Sequence, residues 1–164
     1  MRNLKIYLIV CLAITVGCSS CSKDDDTPEK QSPDILNDTF LESQAEIKQT
    51  VIDLFTSVQK LDADALISYH IYTPEFTHFK NESLRGYSTE NEKGEHDFMA
   101  LISEFEYDLN DLKINVFGDV AISTFHADFR PTINGNVFQI IEQATVVWIK
   151  VDGAWKITHE HFPP

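Results

Sequence analysis

Two dipeptides, Asn134-Gly135 and Asp152-Gly153, each stand between stretches in which apolar and polar residues alternate. A type I′ turn needs positive φ at both central residues, and Asn or Asp followed by Gly supplies it. Each dipeptide is therefore predicted to close a two-residue hairpin. Such a turn also dictates register. Around Asp152-Gly153, Val151 faces Ala154, Trp148 faces Ile157, Val146 faces His159 and Ala144 faces His161. Around Asn134-Gly135, Ile140 faces Phe129, Glu142 faces Ala127, Ala144 faces Phe125 and Val146 faces Ser123. One sheet face then collects Ala121, Ser123, Phe125, Ala127, Phe129, Ile140, Glu142, Ala144, Val146, Trp148, Trp155, Ile157, His159 and His161. The other collects Thr124, His126, Asp128, Gln139, Gln143, Thr145, Lys156, Thr158 and Glu160. A slip of one residue in either hairpin would mix the two sets, so the pattern selects this register.

Ahead of the hairpins the period is helical. Phe40, Ile47, Val51, Leu54, Phe55, Val58 and Leu61 predict one amphipathic helix over Thr39–Lys60, capped by Asp38 or Thr39. A second short helix starts at Asp62 and is stopped by Pro74. Phe76–Phe79 reads as a short strand, and Glu92–Phe105 as a third helix. Leu112, Ile114 and Val116 then begin the alternation. Three helices followed by an antiparallel meander make an α+β domain, a curved sheet folded over helices.

The N-terminus reads as an address. Arg2 and Lys5 precede the apolar run Ile6–Val16, which is too short to span a bilayer and suits a signal peptide. Gly17-Cys18-Ser19-Ser20-Cys21 resembles a bacterial lipobox. Cys21 is the preferred lipidation site, because Ser22-Lys23-Asp24-Asp25-Asp26 resembles the acidic tether of surface-exported lipoproteins; Cys18 is the alternative. The expected divisions are a signal peptide over 1–20, a flexible acidic tether over 21–38 and a folded domain over 39–164. The expected location is the outer membrane, possible surface exposure included, with the membrane held through the lipid anchor only. No thiol follows Cys21, so the domain has neither disulfide nor Cys-ligated metal. The 26 acidic against 13 basic side chains give a charge of −13, which repels phosphate backbones and argues against nucleic-acid binding.

In the expected register Glu142 lies diagonal to His161 across a strand pair, beside the small Ser123, Ala127 and Ala144. A carboxylate and an imidazole so placed among apolar residues are a candidate acid–base pair. The duller reading keeps His159 and His161 as hydrogen-bonded core residues and puts Glu142 at a solvent-open rim. Two histidines fall short of a zinc set, so no metal is expected, and no cofactor motif is present. Tyr69, His70 and His78, around the end of the second helix, fit either the mouth of a pocket or the surface. His96, between Glu95 and Asp97, reads as a solvated helix residue.

The stretches GDVAISTFHADF and EQATVVWIKVDGAWKITHEHFPP resemble the SnoaL-like branch (including DUF4440-type domains) of the nuclear transport factor 2-like (NTF2-like) superfamily. The resemblance rests on Ala121, Thr145, Val147-Trp148, Asp152-Gly153, Trp155-Lys156-Ile157, His159 and His161. It implies a conical α+β fold with a pocket between helices and sheet, commonly a homodimer through the sheet. The related kinase association branch has pocket arginines where Ala127 and Val146 stand here, which speaks against an anionic ligand. Pocket-lining is assigned to Tyr69, His78, Ser123, Phe125, Ala127, Ala144, Val146, Trp148, Trp155 and His159. Three functions remain open: binding of a small, mostly apolar ligand, cofactor-free proton transfer by Glu142 and His161, or assembly without a ligand.

Overall fold

The computed structural model describes residues 34–80, 83–84 and 88–163. The signal-peptide and lipidation assignments, Cys18 and Cys21 among them, lie outside the described residues. The folded unit starts with a turn ahead of Thr39, in which Asp34 Oδ1 accepts from the Leu36 and Asn37 amides, each at 3.2 Å. No described helix is long and apolar enough to cross a membrane.

The elements follow in the order α1 (Leu41–Gln59), α2 (Ala63–Ser68), β1 (Thr77–Lys80), β2 (Ser83–Leu84), α3 (Ser88–Leu101), β3 (Glu104–Phe117), β4 (Val120–Ile133), β5 (Asn136–Val137), β6 (Ile140–Val151) and β7 (Ala154–Phe162). The strands form one sheet in the order β2-β1-β7-β6-β4-β3, with β5 an extra partner of β4. All its pairs are antiparallel except β1 with β7. This is the α+β architecture the period changes imply.

Helix α1 buries Ile47, Val51, Leu54, Phe55 and Val58, one face at helical spacing. Its Phe55 ring sits 4.8 Å from Tyr107 of β3 and 5.4 Å from Phe129 of β4, so helix and sheet share one core. The cap differs from the expectation. Neither Asp38 nor Thr39 caps α1; Phe40 occupies that position in a left-handed conformation and packs its ring on the core. Asp62 caps α2, its Oδ1 accepting from Ala65 N at 2.9 Å, an interaction of about 1 kcal/mol.

Helix α3 starts and ends about one turn earlier than its spacing suggested. Phe105 fits a helical period after Phe98 and Ile102, but it equally begins the alternation Phe105, Tyr107, Leu109. Strand pairing opposite Pro131 decides for the second. A bulge between Asn110 and Lys113, with Asp111 at φ 57°, inserts an extra residue. It returns Ile114 and Val116 to the face used by Leu109.

Both hairpin turns form as expected, with positive φ at Asn134, Gly135, Asp152 and Gly153. The β4–β6 register is the expected one throughout: Ile140 opposes Phe129, Glu142 Ala127, Ala144 Phe125 and Val146 Ser123. Between β5 and β6 the ladder breaks opposite Pro131, which has no amide to donate and only accepts from Phe138 N at 3.0 Å.

The β6–β7 hairpin starts in the expected register, Val151 with Ala154 and Trp148 with Ile157. A bulge at Thr158 then changes it: Val147 opposes His159, Val146 opposes Glu160 and Thr145 opposes His161. The expected pairs Val146–His159 and Ala144–His161 are therefore corrected. One extra residue exchanges the faces of everything beyond it, since side chains alternate with period two. Glu160 joins the inner face, and His159 and His161 move to the outer one.

Candidate functional site

Between the helices and the inner sheet face lies a cavity of about 360 Å³. Aromatic rings of Phe55, Phe98, Phe105, Phe125, Phe129, Trp148 and Phe162 stand in its walls among aliphatic side chains. Into this apolar space project His70, Glu95 and Glu160, three ionisable side chains from three different elements.

Each is set by local structure. His70 follows α2, where Ile71 N donates to Ile157 O and Ile157 N to Tyr69 O, both at 2.8 Å, tying the segment to β7. The Thr158 bulge brings Glu160 inward beside it. Glu95 comes from α3. His70 Nδ1–H donates to Leu66 O at 3.1 Å, so Nε2 is the atom directed at the carboxylates. It lies 3.4 Å from Glu160 Oε1 and 3.5 Å from Glu95 Oε1. Tyr72 stacks on the imidazole with centroids 5.2 Å apart, and Phe76 meets it edge-on at 6.0 Å.

The electrostatics divide the two carboxylates. Burial disfavours the imidazolium, but the charge and hydrogen bond of Glu160, then the charge of Glu95, more than offset it and hold His70 up at about 9. Burial likewise opposes a charge on Glu160, yet His70 keeps that carboxyl below its ordinary value. Burial pushes Glu95 up to about 7; His70 works against the rise and the Glu160 charge adds to it. Burial and the neighbouring Glu95 also raise the Tyr72 hydroxyl. The site is thus an imidazolium–carboxylate pair beside a carboxyl raised to about 7. The Tyr72 hydroxyl and the Glu95 carboxyl are buried side by side, and hydrogen bonding from Tyr72 works against the rise at Glu95. One atom from each of His70, Glu95 and Glu160 lies within 4.8 Å of the others, a span that a divalent ion could bridge.

Of the residues singled out from sequence, Glu142, His78, Phe125, Val146 and Trp148 line the cavity. Glu142 does not meet His161: its Oε1 lies 2.5 Å from Lys80 Nζ, and that ammonium sits 5.7 Å from the Phe162 ring centre. His161 is outside the cone, 6.2 Å from the Phe79 ring. His159 is outside too, bonded through Nδ1 to Thr77 Oγ1 at 2.7 Å; burial and His161 lower its pKa. Both were expected inside, and the bulge is the reason they are not. Ser123 lies beneath the cavity, where its Oγ accepts from Trp148 Nε1 at 2.9 Å. Ala127 and Ala144 are buried in the core but do not line the cavity. Tyr69 packs partly buried on the core. Trp155 turns to α1, its Nε1 donating to Glu46 Oε2 at 2.9 Å, where Lys150 Nζ also bonds at 2.7 Å.

Sequence reasoning missed Glu160 and Glu95 and left His70 undecided. One signal pointed to Glu160: Phe162 is apolar in phase with it, whereas Trp155 and Ile157 are in the opposite phase.

A curved sheet closed by helices over a cavity with buried ionisable groups is the NTF2-like fold. The chain belongs to the SnoaL-like domain family, which matches residues 47–163. Solved structures agree on the fold. A proposed dehydratase of the NTF2-like family from Streptomyces avermitilis is 17% identical, with a TM-score of 0.68, covering 75% of this chain and 96% of that one. An NTF2-like superfamily protein from Salmonella enterica is 20% identical, with a TM-score of 0.66, covering 74% and 90%. A proposed scytalone dehydratase from Novosphingobium aromaticivorans is 12% identical, with a TM-score of 0.66, covering 76% and 85%. Among curated proteins, no relative matches.

Proposed function

We propose that the domain binds a small, mostly apolar organic molecule in the cone and moves a proton on it without a cofactor. The observation that carries this is the Glu95 carboxyl inside the cavity, 3.5 Å from His70 Nε2, where burial raises it to about 7. A general base works best when its pKa lies near the operating pH. Glu95 takes a proton from a carbon next to a carbonyl, and the electron pair moves onto the carbonyl oxygen. The His70 imidazolium stabilises that oxygen, because a preset positive charge in a dry site acts without solvent reorganisation. The proton then returns to another carbon, or a leaving hydroxide takes it as water. Two relatives of the same fold carry dehydratase names, which agrees with this chemistry by analogy only.

The test uses 2-tetralone, an apolar cyclic ketone, in deuterated buffer. The full chain should speed deuterium uptake at the carbons beside the carbonyl, and Glu95→Gln should lower the rate by about 10²–10⁴. Uptake at the buffer rate, or equal uptake with Glu95→Gln, overturns proton transfer. Binding of the ketone without exchange leaves a ligand-binding module.

The proposal extends to location and assembly. The lipobox-like sequence supports a lipid on Cys21 or Cys18, hence an outer-membrane protein held by its acyl chains. Replacing both cysteines by Ser should release the protein from membranes, and continued flotation with them refutes the anchor. The outer sheet face presents the apolar Ile122 beside Thr124, Gln143 and Thr145, all uncharged, which supports pairing with a second copy. Light scattering that gives a monomer at both low and high salt refutes the dimer.

A further inference from the structure

Besides Glu90 and the Lys80–Glu142 ion pair, the polar groups lining the cavity form two rungs between sheet and α3. One is His70 and Glu160 against Glu95. The other is His78 of β1 against Asn91, with His78 Nδ1 2.9 Å from Asn91 Oδ1. The rungs are adjacent on both sides. Asn91 and Glu95 are four residues apart on α3, about 6 Å along the helix. His78 and Glu160 are register partners on neighbouring strands, about 4.8 Å apart.

The second rung ends in an atom without a partner. Asn91 Oδ1 is a carbonyl oxygen and only accepts, so His78 Nδ1 carries the proton toward it. With that proton alone on the ring, Nε2 presents a lone pair, and this atom is buried with no hydrogen-bond partner. On the first rung the Glu95 carboxyl, beside the Tyr72 hydroxyl, faces the same cavity. Both side chains line the cavity. Leaving a buried polar atom unsatisfied is unfavourable, so such an atom inside a binding cavity selects a ligand that satisfies it.

We infer that His78, held by Asn91, is a second anchor of the ligand site and accepts a hydrogen bond from an O–H or N–H on the bound molecule. The ligand class is a compact apolar ring with two polar substituents on opposite sides. One sits at Glu95 and the other, a donor, at His78. This rests on the reading of the cavity as a ligand site, but not on the proton transfer. Asn91 is a positioning residue: it sets which His78 nitrogen carries the proton.

The test compares three probes under argon with the full chain, by calorimetry: 1,4-dihydroxybenzene, 4-methoxyphenol and 1,4-dimethoxybenzene. Their oxygens lie across one six-membered ring, a span similar to that between the rungs. The second hydroxyl should tighten binding about fivefold to tenfold over 4-methoxyphenol, the gain of one hydrogen bond in a buried site. In His78→Leu that gain should vanish, while 1,4-dimethoxybenzene still binds within about twofold of its wild-type affinity, showing an intact cavity. Equal binding of the two phenols by the wild type overturns the anchor alone. So does a gain that survives His78→Leu. If none of the three probes binds the wild type, the ligand-site reading falls and the anchor with it.

Discussion

Replacing Glu160 by Gln keeps the size and hydrogen-bonding capacity of the side chain but removes the charge that holds His70 ionised. The His70 side chain is 1% exposed, so solvent screens little of the interaction. Its pKa rises from 6.5 to about 9, and each unit corresponds to about 1.4 kcal/mol, so the ionised environment contributes about 3 kcal/mol to folding. The folded-state value lies above the unfolded one. The contribution is therefore complete below pH 6.5 and is lost as pH rises through 9. Glu95 has the same sign, with a carboxyl raised from 4.5 to about 7, so its effect fades between those values. The wild type should lose stability between pH 5 and 9. Glu160→Gln should cost about 3 kcal/mol at pH 6 and little at pH 9.5, where the wild-type His70 is already neutral. Urea denaturation followed by tryptophan fluorescence gives the stabilities, and the His70 ring proton followed by NMR gives the titration. A wild-type midpoint at or below 6.5, or parallel stability profiles for the two proteins, would refute the reasoning.

Other expectations follow from single contacts. Gly94 lines the cavity from α3, and a Cβ there would meet no atom within 4 Å. Gly94→Ala should stabilise the fold by about 0.5–1 kcal/mol in thermal melts, whereas Gly94→Leu should reach into the cavity and weaken probe binding. Ser123→Ala leaves the buried Trp148 N–H without its acceptor and should cost about 1–3 kcal/mol in urea denaturation. His161→Ala, outside the cone, should leave deuterium exchange into 2-tetralone unchanged; a loss comparable to that of Glu95→Gln would restore His161 to the site. Exchange should also persist in excess EDTA, since the His70 proton supplies the positive charge; loss with the chelator would assign the three donors to a metal ion instead.

The sequence carried the sheet further than the site. Asn134-Gly135 and Asp152-Gly153 encode turn geometry locally, which is why the β4–β6 register could be read residue by residue. A bulge has no comparable local chemistry. At Thr158 it shows only as a change of phase, from Trp155 and Ile157 to Glu160 and Phe162. Glu160, polar, argued for the outside by type while Phe162 argued for the inside by phase. Its burial is stabilised by His70, a residue 90 positions away and invisible to any local pattern. Glu95 was hidden similarly, since its neighbours His96 and Asp97 are exposed helix residues and only packing of α3 turns Glu95 inward. Glu142 was correctly placed on the inner face, but its partner Lys80 lies on a strand that no turn signal connects to β6.

The central claim is that the cone holds a carboxyl poised for proton exchange at Glu95, beside a charged His70–Glu160 pair. The most direct measurement is a pH titration of the Glu95 side-chain carbonyl carbon by NMR in the full chain, assigned by its loss in Glu95→Gln. The account predicts a midpoint near 7 that shifts when Glu160 is replaced by Gln. A midpoint at the ordinary carboxyl value near 4.5, unmoved by that replacement, would contradict it.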